Sequence, residues 1–209
     1  MRILVGIPVI YCEECVQQCL DSLEGQDVSI FIIDNDATPA IKGMIQRYPK
    51  IVNEKNVYVN PAWNQLMEIF LKSNYERLII LNSDMVLEKD VIQKIQNIDI
   101  DREKTIILPN VSDHHISEGV REIEWGFPGI MIVLTRKMAE LVYPIPESLK
   151  LWFGDDWIYR RLIKHGYRLR VHYAIKARHS GSRSITSLKE ASEIIEQDKI
   201  NWTTEEKNV

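Results

Sequence analysis

The chain has 209 residues, of which 45% are hydrophobic and 27% charged, with only 9 Gly and 8 Pro; this is a globular composition and excludes a fibrous or disordered chain. Lys and Arg total 26 against 30 Asp and Glu, a net charge of -4, which disfavours a dedicated nucleic-acid binder. No apolar run approaches the about 20 residues of a membrane span. The opening MRILVGIPVI has neither a basic leader nor a small-residue cleavage site, so it reads as a first strand, and the cytoplasm is the expected compartment.

Strands and helices alternate along the chain. Residues 2–8 predict a buried strand and 12–24 a helix. Cys12, Cys15 and Cys19 fall at i, i+3 and i+7 of that helix, sharing a face with Val16, Leu20 and Leu23; they read as small buried apolar groups. An odd cysteine count argues against a disulfide framework, and no neighbouring His or Cys completes a zinc site. Residues 28–34 predict a β-branched strand, 40–48 a helix, 61–73 a helix opening on Pro61, 77–82 a long apolar strand, 88–97 a helix and 105–109 a strand. Residues 110–126 are polar, with His114, His115 and Gly119, and read as loop plus a short strand; the two histidines receive no role. A strand over 127–135 leads to a helix over 136–142, a Pro-containing loop, and a helix from about Asp155 to Gly166. A strand over 168–175 and an amphipathic tail helix over 187–200 close the pattern, with Leu188, Ala191, Ile194 and Ile195 on one side of the tail and Glu190, Glu193, Glu196 and Asp198 on its acidic side. Short apolar strands between helices imply an α/β fold around a mostly parallel sheet covered on both faces.

Ligands of open α/β sheets bind beyond the carboxyl ends of the strands. The turns at those ends carry Asp34-Asn35-Asp36 and Asn82-Ser83-Asp84. Asp36 also suits a cap for the helix after Thr38-Pro39. A carboxylate at Asp84 leaves coordination positions open for phosphate oxygens, which suits a substrate-bridging divalent cation. The run Trp152-Phe153-Gly154-Asp155-Asp156-Trp157 sets two carboxylates among aromatics at a helix start. That is a favourable dipole position, and desolvation there raises a carboxylate pKa toward that of a general base. No Walker loop, dinucleotide fingerprint or nucleophile elbow is present.

In this order the motifs resemble the family 2 glycosyltransferases of the GT-A fold over residues 2–184. Pro8 looks like the turn after the family's first strand. Ile32 to Thr38 is similar to V-V-D-N-x-S-T, which implies Asp34, with Asn35 and Asp36 beside it, at the nucleotide base. Asn56 to Asn64 resembles N-x-G-x-x-x-A-x-N, with Tyr58 in place of the glycine and Asn64 as the final asparagine. Asn82-Ser83-Asp84 looks like N-x-D, which implies Asp84 as a manganese or magnesium ligand, joined by His179. Asp155-Asp156 resembles the acidic pair that bears the catalytic base. Aligning Arg161 and Gly166-Tyr167 makes Asp155 the base with Gly154 in place of Glu, the register slightly favoured; aligning the pair directly makes it Asp156.

The resemblance implies a GT-A-type three-layer α/β/α sandwich forming one domain over 1–209. The nucleotide-binding half spans 1–100, the acceptor and catalytic half 101–184, and the tail 185–209. It also implies a metal-dependent inverting transfer from a nucleotide diphosphate sugar, UDP-linked, to a hydroxyl on a carbohydrate, glycolipid or glycoconjugate. Lys176 and Arg183 are candidate phosphate contacts, and Ser182 and Ser184 look like the loop that comes after His179. A nucleotidyltransferase, a non-catalytic nucleotide-sugar binder and a transferase acting on modified DNA bases are the alternatives; the acidic charge disfavours DNA. The tail helix offers a surface for its own domain, for a second copy in a homodimer or for a membrane, and its acidic face disfavours an anionic membrane surface.

Overall fold

β-Branched and apolar runs bounded by turn residues give nine strands among the described residues: β1 Ile3–Val9, β2 Ser29–Asn35, β3 Lys50–Asn53, β4 Arg77–Leu81, β5 Met85–Leu87, β6 Thr105–Asn110, β7 Val120–Glu122, β8 Met131–Thr135 and β9 Arg168–His179. The helices are α1 Glu13–Leu23, α2 Pro39–Met44, α3 Val59–Lys72, α4 Val91–Gln96, α5 Ile100–Glu103, α6 Arg136–Val142, α7 Gly154–Lys164 and α8 Ala191–Glu205. The computed structural model describes residues 1–111, 118–181 and 190–209. His114, His115, Ser182, Arg183, Ser184 and Leu188 lie outside the described residues.

The central sheet has the order β3-β2-β1-β4-β8. Its first four strands are parallel, and β8 runs antiparallel to β4. Every residue of β4 and β8 is buried, so both faces of the sheet are covered, as the unbroken apolar runs predict. A second sheet has the order β5-β9-β6, with β7 also on β9. The antiparallel pairing of β5 with β9 sets Met85 opposite His179. That register brings the end of β9 to the turn that carries Asp84.

Several elements differ from the sequence reading. Strands β3 and β5 were not predicted; each is four residues or fewer and exists only through its pairing partner. Pro61 is the third residue of α3, whose N-cap is Tyr58. The cap of α2 is Thr38, whose Oγ1 accepts from the Ile41 N–H at 3.4 Å. Asp36 instead lies exposed, 3.9 Å from Lys42 Nζ. Gly166 takes φ 84 and ends α7 as expected, with the Tyr167 N–H returning to the Leu162 carbonyl at 3.1 Å.

The cysteine reading needs a correction. Cys12 and Cys15 form a disulfide, and only Cys19 is a free, buried thiol. Cys12 sits at the N-cap of α1 with φ 64, outside the helix, so the i, i+3 face does not apply to it. Asp198 is also corrected. It is fully buried on α8, where its Oδ1 accepts from Lys150 N–H at 2.9 Å and its Oδ2 from Leu151 and Trp152 N–H at 2.7 and 2.8 Å.

Candidate active site

The carboxyl ends of β1, β2 and β4 open onto a cavity of about 390 Å³, and the Gly129 turn, the 151–153 loop and the start of α7 form its other walls. Of the residues singled out in the sequence, Pro8, Asn35, Asn82, Ser83, Asp84, Asp155, Asp156 and His179 line it. Residues from five separate stretches of chain thus meet at one sheet edge, where the strand-end rule places a ligand.

Asp34, Asp36 and Asn64 do not line the cavity. Asp34 is 2% exposed and its Oδ1 accepts from the Ala37 N–H at 2.9 Å, so it closes its own turn. Asn64 is spent on the backbone of Ile145, donating to its carbonyl and accepting from its N–H, both at 2.8 Å. Asn35 reaches the wall, but its side chain is held by the protein: Oδ1 accepts from Val57 N–H at 2.9 Å and Nδ2 donates to Asn56 Oδ1 at 2.7 Å. These bonds shape the 56–58 turn. There Tyr58 takes φ 70 and ψ 179, a backbone region favouring glycine, at the position where the motif of the resembled family has glycine. Lys176 does not line the cavity.

At one end of the cavity the His179 Nε2–H donates to Asp84 Oδ2 at 3.1 Å. That bond to the carboxylate raises the imidazole pKa against the opposing effect of burial. Among the described residues no group of three His, Cys, Asp or Glu side chains gathers as a metal cluster. A buried carboxylate and an imidazole at one point are an oxygen and nitrogen donor pair that suits Mn²⁺ or Mg²⁺, provided that phosphate oxygens and water fill the other positions. The donor set therefore fits a cation that arrives with an anionic substrate. It does not build a closed structural site.

The two α7 carboxylates have different environments. Asp155 Oδ2 accepts from the Gly129 N–H at 2.8 Å and its Oδ1 from the Asp156 N–H at 3.0 Å. Burial raises its pKa, and these bonds oppose the rise. The Asp156 carboxylate accepts no hydrogen bond among the described residues; burial and then the Asp155 charge lift its pKa to about 6, with the Arg160 guanidinium pulling the other way. A Cβ on Gly154 would collide with the side-chain amide of Asn60, so this position has no room for a side chain.

Asn60 and Trp63 are site builders that no sequence motif marks. Asn60 Nδ2 donates to the Trp152 carbonyl at 2.9 Å. A Cβ on Gly129 would meet Asp155 Cβ at 2.6 Å and Trp63 Cη2 at 2.9 Å. Only the glycine of the Pro128-Gly129 pair was a usable signal.

The model of "Glycosyl transferase family 2" matches residues 4–161. No curated protein matches the chain. Among solved structures, S. aureus TarS 1-349 in complex with UDP-GlcNAc is similar with a TM-score of 0.67 and 15% identity, over 94% of this chain and 64% of that one. S. aureus TarS 1-349 alone gives 0.66 and 13%, over 85% and 59%. GalNAc-T7 with UDP, GalNAc and Mn2+ gives 0.66 and 10%, over 86% and 44%. The chain thus spans under two thirds of the length of these structures, and at such identities the likeness is one of fold. The family match covers most of the chain and every cavity-lining residue named above except His179: the chain belongs to glycosyl transferase family 2.

Proposed function

We propose that the chain transfers a glycosyl group from a nucleoside diphosphate sugar to an acceptor hydroxyl by a single displacement with inversion. The observation that carries this reading is the shared cavity. Asp84 and His179 lie at one place in its wall, and Asp156, whose carboxylate accepts no hydrogen bond among the described residues, at another. The UDP and UDP-GlcNAc complexes of similar fold support a uridine donor, and the Mn2+ complex supports a cation.

Asp84 and His179 would hold the cation, which when bound supplies positive charge against the diphosphate. Asp156 takes the proton of the acceptor hydroxyl. The freed oxygen forms a bond to the anomeric carbon while the bond from that carbon to the phosphate oxygen breaks. The electron pair of the broken bond leaves with the nucleoside diphosphate. Asp155 is a positioning residue: its bonds to Gly129 and to the start of α7 fix where Asp156 stands. Pro8 and Ser83 add wall contacts to the donor end.

The test is release of UDP from a panel of UDP-sugars, by transfer or by slow hydrolysis, in the wild type and in Asp156→Asn. Release from at least one sugar is expected, with the variant slower by about a hundred- to ten-thousand-fold, the range for loss of a general base. Equal rates in both proteins contradict the assignment of Asp156. Absence of release from every sugar of the panel contradicts transfer from a UDP-sugar.

A further inference from the structure

Trp152 combines a pinned backbone with an open side chain. Its N–H donates to the buried Asp198 carboxylate at 2.8 Å and its carbonyl accepts from the buried Asn60 amide at 2.9 Å. The neighbouring Lys150 carbonyl also accepts from the Asn60 N–H, at 3.0 Å. Yet the residue is 42% exposed and lines the cavity. Phe153 meets the indole edge-on at 6.1 Å and is itself stacked on Trp202 of α8 at 5.1 Å. A loop that merely closes a chain does not need two buried polar side chains to hold one exposed ring. Lys199 Nζ of α8 lies over the indole, 5.7 Å from its centroid, so the ring is part-covered; a fixed backbone that presents the remaining exposed aromatic surface lowers the ordering cost of a ligand that stacks there.

The chemistry beside the ring selects the ligand. Asp156, on the same cavity, accepts a proton from a hydroxyl. A group that reaches both must offer a flat apolar face to the indole and a hydroxyl at its rim. A pyranose does both, with C–H bonds on its face and hydroxyls around its edge; a lipid tail or a nucleobase lacks the hydroxyl. We propose that Trp152 is the platform of an acceptor subsite and that the acceptor is a pyranoside, stacked on the indole with one hydroxyl at Asp156. This rests on the transferase reading above. Asp198 and Trp202 lie beyond the residues that match the family, 4–161, so the platform is fixed by the C-terminal helix of this chain. Asp198 is a positioning residue for it.

Saturation-transfer NMR tests the proposal with methyl β-D-glucopyranoside and methyl β-D-galactopyranoside as probes and glycerol as the control, in the presence of UDP and Mn²⁺. Melting with UDP and Mn²⁺ reads the donor site separately. The wild type is expected to pass saturation to the protons of one pyranoside face and none to glycerol. Trp152→Ala should bind about tenfold more weakly, the upper range for one aromatic contact. Trp152→Phe should keep part of the binding, and Asp198→Asn should weaken it without touching the ligand. Equal binding by wild type and Trp152→Ala overturns the platform, as does a wild type that responds to UDP but binds neither pyranoside. Pyranoside binding that depends on Trp152 in a protein without a UDP response supports the platform and sinks the transferase reading. Absence of both responses overturns both.

Discussion

Asp155 and Asp156 are adjacent in sequence and opposite in availability. The first spends both oxygens on backbone N–H groups, and the second has none among the described residues. The carboxyl of Asp156 is held near pH 6 instead of its ordinary 3.8, so a base at this position is deprotonated only above that value. The rate of transfer should rise with pH through about 6, and Asp156→Asn should remove that limb of the profile. Stability moves the other way. With its folded pKa above the unfolded one, the group stabilises the fold fully below about 3.8, and that contribution is lost as pH rises through about 6. Denaturant midpoints of the wild type between those values should therefore fall, and Asp156→Asn should flatten the trend. Gly154 supplies a second prediction at this scale. Its missing Cβ leaves Asn60 Oδ1 in place, so Gly154→Ala should cost about 1–3 kcal/mol by overpacking, read from chemical denaturation. An unchanged midpoint would contradict the close approach.

Which residues face the cavity was legible wherever one strand end decided it. Pro8 near the end of β1 and Asn82-Ser83-Asp84 after β4 stand out as the polar or turn-forming residues at the carboxyl end of a long apolar run, and they line the wall. Asp34 was indistinguishable from them in sequence, because a strand-end acid that closes its own turn has the same spelling as one that faces a ligand. Tyr58 hid a turn: only its φ shows why glycine belongs there.

The C-terminal helix is an element whose role came from tertiary contacts alone. Three backbone N–H groups of residues 150–152 converge on Asp198 from more than forty positions away in sequence, and no local pattern announces it. Spacing along the helix put this aspartate on a solvated face beside Glu193 and Glu196. The same helix end reaches α7, where Arg160 pairs with Glu206 at 2.5 Å and its guanidinium lies 4.9 Å from the Trp125 ring centroid and 5.4 Å from that of Trp202. Asp198→Ala leaves buried donors unpaired and should cost at least about 2 kcal/mol. A loss under half of that, measured in urea, would contradict the burial of these N–H groups. Strands β3 and β5 were illegible for the related reason that so few residues carry little periodicity. The Cys12–Cys15 bond was hidden by a helix boundary. Alkylation of the folded protein without reductant should label none of the three cysteines quickly, and unfolding without reductant should expose one. Labelling of three would contradict the disulfide.

At the scale of the molecule, alternating strand and helix signals were enough to fix a mostly parallel sheet, because unbroken apolar runs such as Arg77–Leu81 demand cover on both faces. The second sheet was not visible, since β9 joins β5, β6 and β7 from three distant segments. That sheet is what delivers His179 to Asp84. No helix among the described residues is long and apolar enough to cross a membrane, and with a net charge of -4 the chain offers a polyanion no general attraction. The cavity at the carboxyl ends of the strands is the feature that the proposed transfer requires. The most direct measurement is the melting midpoint with UDP, with UDP and Mn²⁺, and with UDP and a chelator, for the wild type and Asp84→Ala. At a ligand concentration about a hundred times the dissociation constant, binding adds about 2.7 kcal/mol, or about 5–10 °C for a chain of this size. A rise of that order is expected for the wild type with UDP and Mn²⁺, most of it lost with chelator and in Asp84→Ala. A wild type whose midpoint ignores UDP in the presence of Mn²⁺ would contradict the proposed transfer.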